Sequence, residues 1–118
     1  MVDPRRTLGA AGEAAVATWY EAHGYTVLDR NWRVRAGELD LVLARANTVV
    51  FCEVKTRTGD GFGMPFEAVT KTKQRRLRGL ASEWLAARRV GARDLRFDVA
   101  SVMPDGDSWT IDVLEAAF

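Results

Sequence analysis

Hydrophobic residues recur along the chain with two different periods, and these predict two helices and five strands. Helical spacing runs from Thr7, a predicted N-terminal cap, to about His23, and again from about Thr70 to Arg89. The predicted buried stripe of the first helix consists of Leu8, Ala11, Ala15, Trp19 and Ala22. That of the second helix consists of Leu77, Leu80, Ala81, Trp84 and Leu85.

Strand-like segments occupy most of the remaining chain. They are predicted from Tyr25 to Val34, from about Glu38 to Ala44, from about Thr48 to Thr56, and in "LRFDVASVM" and "SWTIDVLE". A glycine-rich loop and a short helical turn at Pro65 are expected before the second long helix. The order α-β-β-β-α-β-β predicts an α/β or mixed α+β fold, with residues 1–118 forming a single domain.

Two glycines interrupt the first predicted helix. Gly9 and Gly12 each destabilise a helix interior by about 1 kcal/mol relative to alanine. Their presence indicates that another element packs closely against that first turn.

Composition changes this picture little. The chain has 118 residues, of which 47% are hydrophobic and 28% charged, which is ordinary for a soluble globular protein.

No apolar run reaches the roughly 18–20 residues that a membrane span requires, and Glu13 and Glu21 interrupt any signal-peptide pattern. The single cysteine, Cys52, excludes an internal disulfide and a cysteine-based zinc site. We therefore expect a cytoplasmic protein without membrane contact.

Charge is distributed unevenly, although the net charge is only +1. Between residues 71 and 89 seven basic residues face one acid, Glu83, which gives a local charge of +6. The seven are Lys71, Lys73, Arg75, Arg76, Arg78, Arg88 and Arg89. Such a segment is either a phosphate-binding face or an ordinary solvated helix face.

Charged residues also lie within the predicted hairpin "GELDLVLARANTVVFCEVKTR". Alternation along each strand predicts one common face for Glu38, Asp40, Glu53 and Lys55, with Leu39, Leu41 and Leu43 on the other side. A turn centred between residues 46 and 47 pairs residues whose numbers sum to 93. Asp40 should then lie opposite Glu53, and Glu38 opposite Lys55.

Two opposed carboxylates repel each other, and three arrangements relieve the repulsion. One acid takes up a proton. Alternatively, Lys55 neutralises the pair as a structural network. The third arrangement is a divalent cation such as Mg²⁺ between the acids, which with an adjacent lysine suits phosphodiester chemistry.

The spacing of these residues resembles the PD-(D/E)xK nuclease signature, with Leu39 before Asp40 in place of the usual proline. Nearly the whole chain, including "GAAGEAAVATWYEAHGYTVLDRNWR", "GELDLV", "VVFCEVKTR", "FGMPFEAV" and "RFDVASV", resembles the YraN-like family. That resemblance implies a restriction-endonuclease-like core, a central mixed sheet flanked by helices, related to archaeal Holliday-junction resolvases.

The resemblance implies site residues and a function. Asp40, Glu53 and Glu13 would hold Mg²⁺ or Mn²⁺, and Lys55 would be the catalytic lysine of a DNA endonuclease, on branched or structured DNA. Phosphate contacts would come from Lys71, Lys73, Arg75, Arg76 and Arg78. By analogy a homodimer is also expected. The rival hypothesis is a catalytically silent nucleic-acid-binding or assembly protein.

Two residues keep alternative assignments. Glu13 is either a ligand or an exposed helix glutamate, and Glu38 is either an auxiliary acid or the ion-pair partner of Lys55. Gln74 lies in the helix after the core motif, where related nucleases often carry a polar residue that faces the site. Asp98 is expected to be structural.

Overall fold

The computed structural model describes residues 4–57, 69–91 and 93–118. It has a mixed α+β fold in which two helices flank one five-stranded sheet, and the predicted order α-β-β-β-α-β-β is confirmed. The elements are α1 (Pro4–Ala22), β1 (Thr26–Val34), β2 (Gly37–Arg45), β3 (Thr48–Thr56), α2 (Lys71–Ala87), β4 (Asp94–Asp105) and β5 (Ser108–Leu114).

The strands lie in the sheet in chain order, β1-β2-β3-β4-β5. All neighbours are antiparallel except β3 and β4, which are parallel. Parallel neighbours need a long crossover connection, and α2 lies within it. Within the part of the chain that the structure describes, neither helix has the length and apolar character needed to cross a bilayer.

The hydrophobic core has two layers, one on each face of the sheet. Along β3, Val49 and Phe51 pack into the layer under α2, whereas Val50 and Cys52 pack into the layer under α1. This matches the predicted alternation for that strand. Cys52 is buried as expected, and burial raises the pKa of its thiol.

The buried face of α1 differs from the predicted one. The helix begins at Pro4, so Thr7 lies inside it, and its core contacts come from Val16, Ala17 and Tyr20. The predicted stripe is confirmed only in part: Ala15 and Trp19 pack at the margin of this core layer, whereas Ala11 and Ala22 are exposed. All four line an open groove beside Trp109. With alanine on several sides of the helix, apolar spacing alone did not distinguish the two faces.

Close packing against the two glycines of α1 is confirmed for one of them only, and Gly12 lies well inside the helix, which begins at Pro4. A β-carbon added at Gly12 would overlap the Thr56 hydroxyl and lie 3.0 Å from Val102. At Gly9 it would meet nothing within 4 Å, so the expectation is wrong there.

The second helix agrees better with its prediction. Thr70 is its N-cap, and the hydroxyl accepts a hydrogen bond from the Lys73 backbone N–H at 3.1 Å. The helix ends at Ala87, two residues before the predicted end. Its predicted stripe is confirmed, with Leu77, Leu80, Ala81 and Trp84 buried and Leu85 packed beside them. The glycine-rich loop and the turn at Pro65 lie outside the described residues.

Candidate metal and nucleic-acid site

The candidate site lies where β2 and β3 separate. Their pairing runs from Arg45–Thr48 to Leu41–Cys52, so the predicted sum of 93 is confirmed over this stretch. One residue further, the Asp40 carboxylate accepts a hydrogen bond from the Val54 backbone N–H at 2.8 Å. A side chain thus takes the place of a strand-to-strand hydrogen bond, and Asp40 is held between the two strands.

The alternation of β2 changes phase at this point. Leu39 packs into the layer under α2, whereas Leu41 and Leu43 pack into the layer under α1. The predicted common side for these leucines is therefore wrong. The neighbouring strand is irregular too, since Asn31 has a positive φ of 48° between the paired residues Arg30 and Trp32.

The phase change also separates the four charged residues that were expected on one face. Glu38 lies with Glu13 of α1, whereas Glu53 forms an ion pair with Lys73 of α2. Asp40 lies between them and is influenced electrostatically by both Glu13 and Glu53. The prediction of a single face is wrong, and the acids instead surround the gap between β2 and β3.

Three carboxylates converge on the α1 side of this gap. Glu13, Glu38 and Asp40 each offer one oxygen, and these oxygens lie within 4.8 Å of one another. They line an open groove of about 370 Å³ together with Arg6, Asn31 and Arg33. Clustered carboxylate oxygens are the donors that hard divalent cations prefer, so the residues present fit Mg²⁺ or Mn²⁺.

Burial and neighbouring negative charges disturb the titration of two of these acids, Asp40 and Glu13. Burial, followed by the charge of Glu53, raises the pKa of Asp40 to about 7. Burial also raises the pKa of Glu13, against a hydrogen bond from Asn31 that lowers it. Asp40 and Glu13 therefore bind protons more readily than isolated carboxyl groups do, and a bound cation would relieve the same repulsion.

Glu53 has cationic partners of its own. Its Oε1 lies 2.8 Å from Lys73 Nζ and 3.4 Å from Lys55 Nζ. Burial lowers the pKa of Lys55. The expected Glu38–Lys55 pair is not formed, because Glu38 accepts a hydrogen bond from Arg33 Nε at 3.0 Å.

The family is decided by comparison with known sequences. The model of the uncharacterised protein family UPF0102 matches residues 12–102. This chain belongs to the UPF0102 family. The expected YraN-like membership is thereby confirmed, and the matched range contains Glu13, Asp40, Glu53 and Lys55.

Relatives in the family align over almost their whole length. A UPF0102 protein of Nocardia farcinica is 48% identical over 118 residues, covering 99% of this chain and 93% of the relative. One from Acidothermus cellulolyticus is 46% identical, with 97% and 95% covered. One from Clavibacter michiganensis is 45% identical, with 93% and 94% covered.

The basic residues predicted to contact phosphate do not all point to solvent in this UPF0102 chain. Lys71, Arg75, Arg76 and Arg78 are exposed on α2, and the Arg78 guanidinium lies over the Phe97 ring at 4.8 Å. Lys73 is half-buried against Glu53 instead.

Two other residues singled out in the sequence have structural contacts. The Asp98 side chain is fully buried and accepts hydrogen bonds from Tyr20 Oη at 2.7 Å, from Arg96 and from the Ala116 N–H. Its expected structural role is consistent with this network. The Gln74 amide donates to the Val69 carbonyl at 3.2 Å, at the start of α2.

Sequence reasoning missed the ion pair of Glu38 with Arg33. The tight β1–β2 hairpin contained the information, because the residue numbers of its pairs Arg33–Glu38 and Val34–Gly37 both add up to 71. Applying the register argument to this hairpin as well would have given Glu38 its arginine partner.

Proposed function

We propose that this UPF0102 protein is a metal-dependent nuclease-like phosphodiesterase with a restriction-endonuclease-like core that acts on nucleic acid, in particular structured DNA. One observation carries the proposal: the oxygens of Glu13, Glu38 and Asp40 lie within 4.8 Å of one another, beside the Glu53–Lys55 ion pair. An acid cluster that can hold a divalent ion, with an adjacent lysine, suits phosphodiester hydrolysis.

The proposed division of labour follows the geometry. Glu13, Glu38 and Asp40 would hold Mg²⁺ or Mn²⁺ in the groove, and Glu53, which lies outside that cluster but acts electrostatically on Asp40, would be a further ligand. When bound, the ion would polarise a phosphoryl oxygen and lower the pKa of water. The Asp40–Val54 hydrogen bond fixes the central carboxylate, so that little reorganisation is needed when the substrate arrives.

Lys55 would supply the positive charge for the developing negative charge on the phosphate. Its ammonium lies 3.4 Å from Glu53 Oε1, and only 24% of its side chain is exposed. A partly dehydrated ammonium interacts more strongly with a phosphate than one in bulk water does. The ion pair with Glu53 holds the Lys55 ammonium within the site.

Substrate binding would use the exposed cations around the site. Lys71, Arg75, Arg76 and Arg78 project from α2, while Arg6 and Arg33 line the groove on the α1 side. Contacts of this kind neutralise backbone phosphates and give affinity and position rather than sequence choice. A polyanionic substrate therefore suits this surface.

A cleavage assay with matched variants tests the proposal. Linear and four-way branched DNA would be incubated with wild type, Asp40→Asn, Glu53→Gln and Asp112→Asn, in the presence of Mg²⁺, Mn²⁺ or EDTA. Asp112 is an exposed acid on β5 and serves as the control. We expect metal-dependent cleavage that falls at least about 100-fold in the first two variants only.

DNA binding, DNA cleavage and the effect of Mn²⁺ on thermal stability together distinguish the proposed nuclease from the rival hypothesis. A silent nucleic-acid-binding protein would bind DNA with steep salt dependence but cleave nothing. It would also gain no thermal stability from Mn²⁺, since only a ligand of the native state stabilises it. Cleavage by Asp40→Asn at the wild-type rate would overturn the proposed site.

A further inference from the structure

Glu53 differs from the other acids of the site in having two lysine partners. Two ammonium groups approach the same oxygen, Oε1, with Lys73 at 2.8 Å and Lys55 at 3.4 Å. Only 10% of the Glu53 side chain is exposed. Water therefore screens this cluster little, and the charge carried by each partner matters.

Lys73 occupies an unusual position for a lysine. It lies in the first turn of α2, where its backbone N–H is capped by Thr70, and that turn contains no acidic residue. The N-terminus of a helix carries partial positive charge and disfavours cations there. The contact with Glu53 offsets this cost and directs the Lys73 side chain inward, while Lys71 in the same turn is exposed.

The two lysines differ in how firmly they are held. Lys55 belongs to β3, and its backbone is paired with Ser101 of β4 inside the sheet. Lys73 reaches Glu53 from the end of a helix through a flexible four-carbon stem, with 29% of its side chain exposed. If a divalent ion approached Glu53, three cations would surround one carboxylate and repel one another. Lys73, the less firmly held of the two lysines, would then move away.

We propose that Lys73 is a built-in counter-ion that occupies the place of the divalent cation at Glu53 and moves out when that cation binds. This inference rests on the proposed function, because it takes Glu53 as a metal ligand. The released ammonium then becomes available at the start of α2, beside the exposed Lys71, as a further contact for a substrate phosphate. Metal and DNA should therefore favour each other's binding, since DNA stabilises the displaced lysine.

Direct measurement of Mn²⁺ binding to the full chain, without DNA, tests the counter-ion role. Calorimetric titrations would compare wild type with Lys73→Met, Lys73→Arg and the control Lys71→Met, which removes the same charge from the same turn. We expect Lys73→Met to bind Mn²⁺ about 5- to 50-fold more tightly than wild type. Lys71→Met should stay within about twofold, and Lys73→Arg should bind no more tightly than wild type.

The outcomes separate this inference from the proposed function. Equal Mn²⁺ affinity in wild type and Lys73→Met, with binding lost in Asp40→Asn, would overturn the counter-ion role and leave the metal site intact. An equal gain in Lys71→Met would also overturn it, since the effect would then be general electrostatics. If Mn²⁺ bound none of these proteins, both proposals would fall.

A second titration tests the coupling. A short DNA duplex should increase the Mn²⁺ affinity of wild type by at least about fivefold and that of Lys73→Met by clearly less. The same increase in both proteins would show that Lys73 does not link the two ligands.

Discussion

The Asp40 carboxylate accepts a hydrogen bond from the Val54 backbone N–H, at the point where the pairing of β2 and β3 has ended. This contact fills the gap between two separating strands with an acidic side chain rather than with water or an apolar group. Burial of this acid between the strands, followed by the charges of Glu53 and Glu13, raises the pKa of Asp40 to about 7.

The raised pKa makes metal-free stability depend on pH. Asp40 binds a proton in the folded state up to about pH 7 but near pH 4 when unfolded, so the free energy of unfolding should fall as pH rises between these values. Asp40→Asn keeps the acceptor for Val54 and removes the titration. Its stability advantage over wild type should grow by roughly 2–3 kcal/mol from pH 5 to pH 8.

Urea unfolding in EDTA at the two pH values measures this difference. Asp112→Asn, on the exposed edge of β5, should follow wild type at both. An advantage of Asp40→Asn that does not change with pH would contradict the assignment of the raised pKa to Asp40.

The buried hydrogen-bond network of Asp98 on β4 should contribute strongly to stability. Asp98→Ala would leave the Arg96 guanidinium, the Tyr20 hydroxyl and the Ala116 N–H without their acceptor, at a cost of about 3–5 kcal/mol. Tyr20→Phe removes one donor and should cost about 1–3 kcal/mol. Chemical denaturation would measure both, and a loss below about 1 kcal/mol for Asp98→Ala would contradict the structural role.

Two glycines of α1 should respond oppositely to alanine. Gly9→Ala meets no neighbour within 4 Å, so helix propensity should stabilise the protein by up to about 1 kcal/mol. Gly12→Ala should destabilise it by about 1–3 kcal/mol, because the new methyl group would overlap Thr56 and press on Val102. The thermal unfolding midpoints of wild type and of both variants, measured in the same buffer, test this. A higher midpoint for both variants would refute close packing at Gly12.

DNA affinity should depend on salt through the exposed cations of α2. Arg75→Gln should lower the slope of log affinity against log salt by about 1, as expected for one lost phosphate contact. Arg89→Gln removes the same charge beyond the far end of the helix and should leave the slope unchanged. Fluorescence anisotropy at several salt concentrations measures both slopes. Equal effects would mean that DNA does not lie along the first turns of α2.

Local features of the fold were accessible from the sequence. The β2–β3 register followed from the turn because both strands pair without interruption from Arg45–Thr48 to Leu41–Cys52. The stripe of α2 followed from helical spacing because one face alone carries large apolar residues such as Leu77 and Trp84.

The site itself depends on features that alternation does not encode. Strand periodicity assumes continuous pairing, so it could not predict that Leu39 and Leu41 face opposite layers once β2 leaves β3. Charge patterning likewise gave Lys71 and Lys73 the same role. Their different environments arise from the distance between α2 and Glu53, which is set by tertiary packing.

Among the described residues the sheet ends at the strands β1 and β5, and both carry obstacles to pairing with another strand. The pairing of β1 shifts between Val27 and Asp29, and Asn31 distorts its backbone further along. Asp112 projects from β5. Irregular backbone and charged side chains at the edges of a sheet prevent the edge strands of different molecules from pairing with each other. The irregularity that accompanies the acid cluster therefore also helps to keep this protein from aggregating.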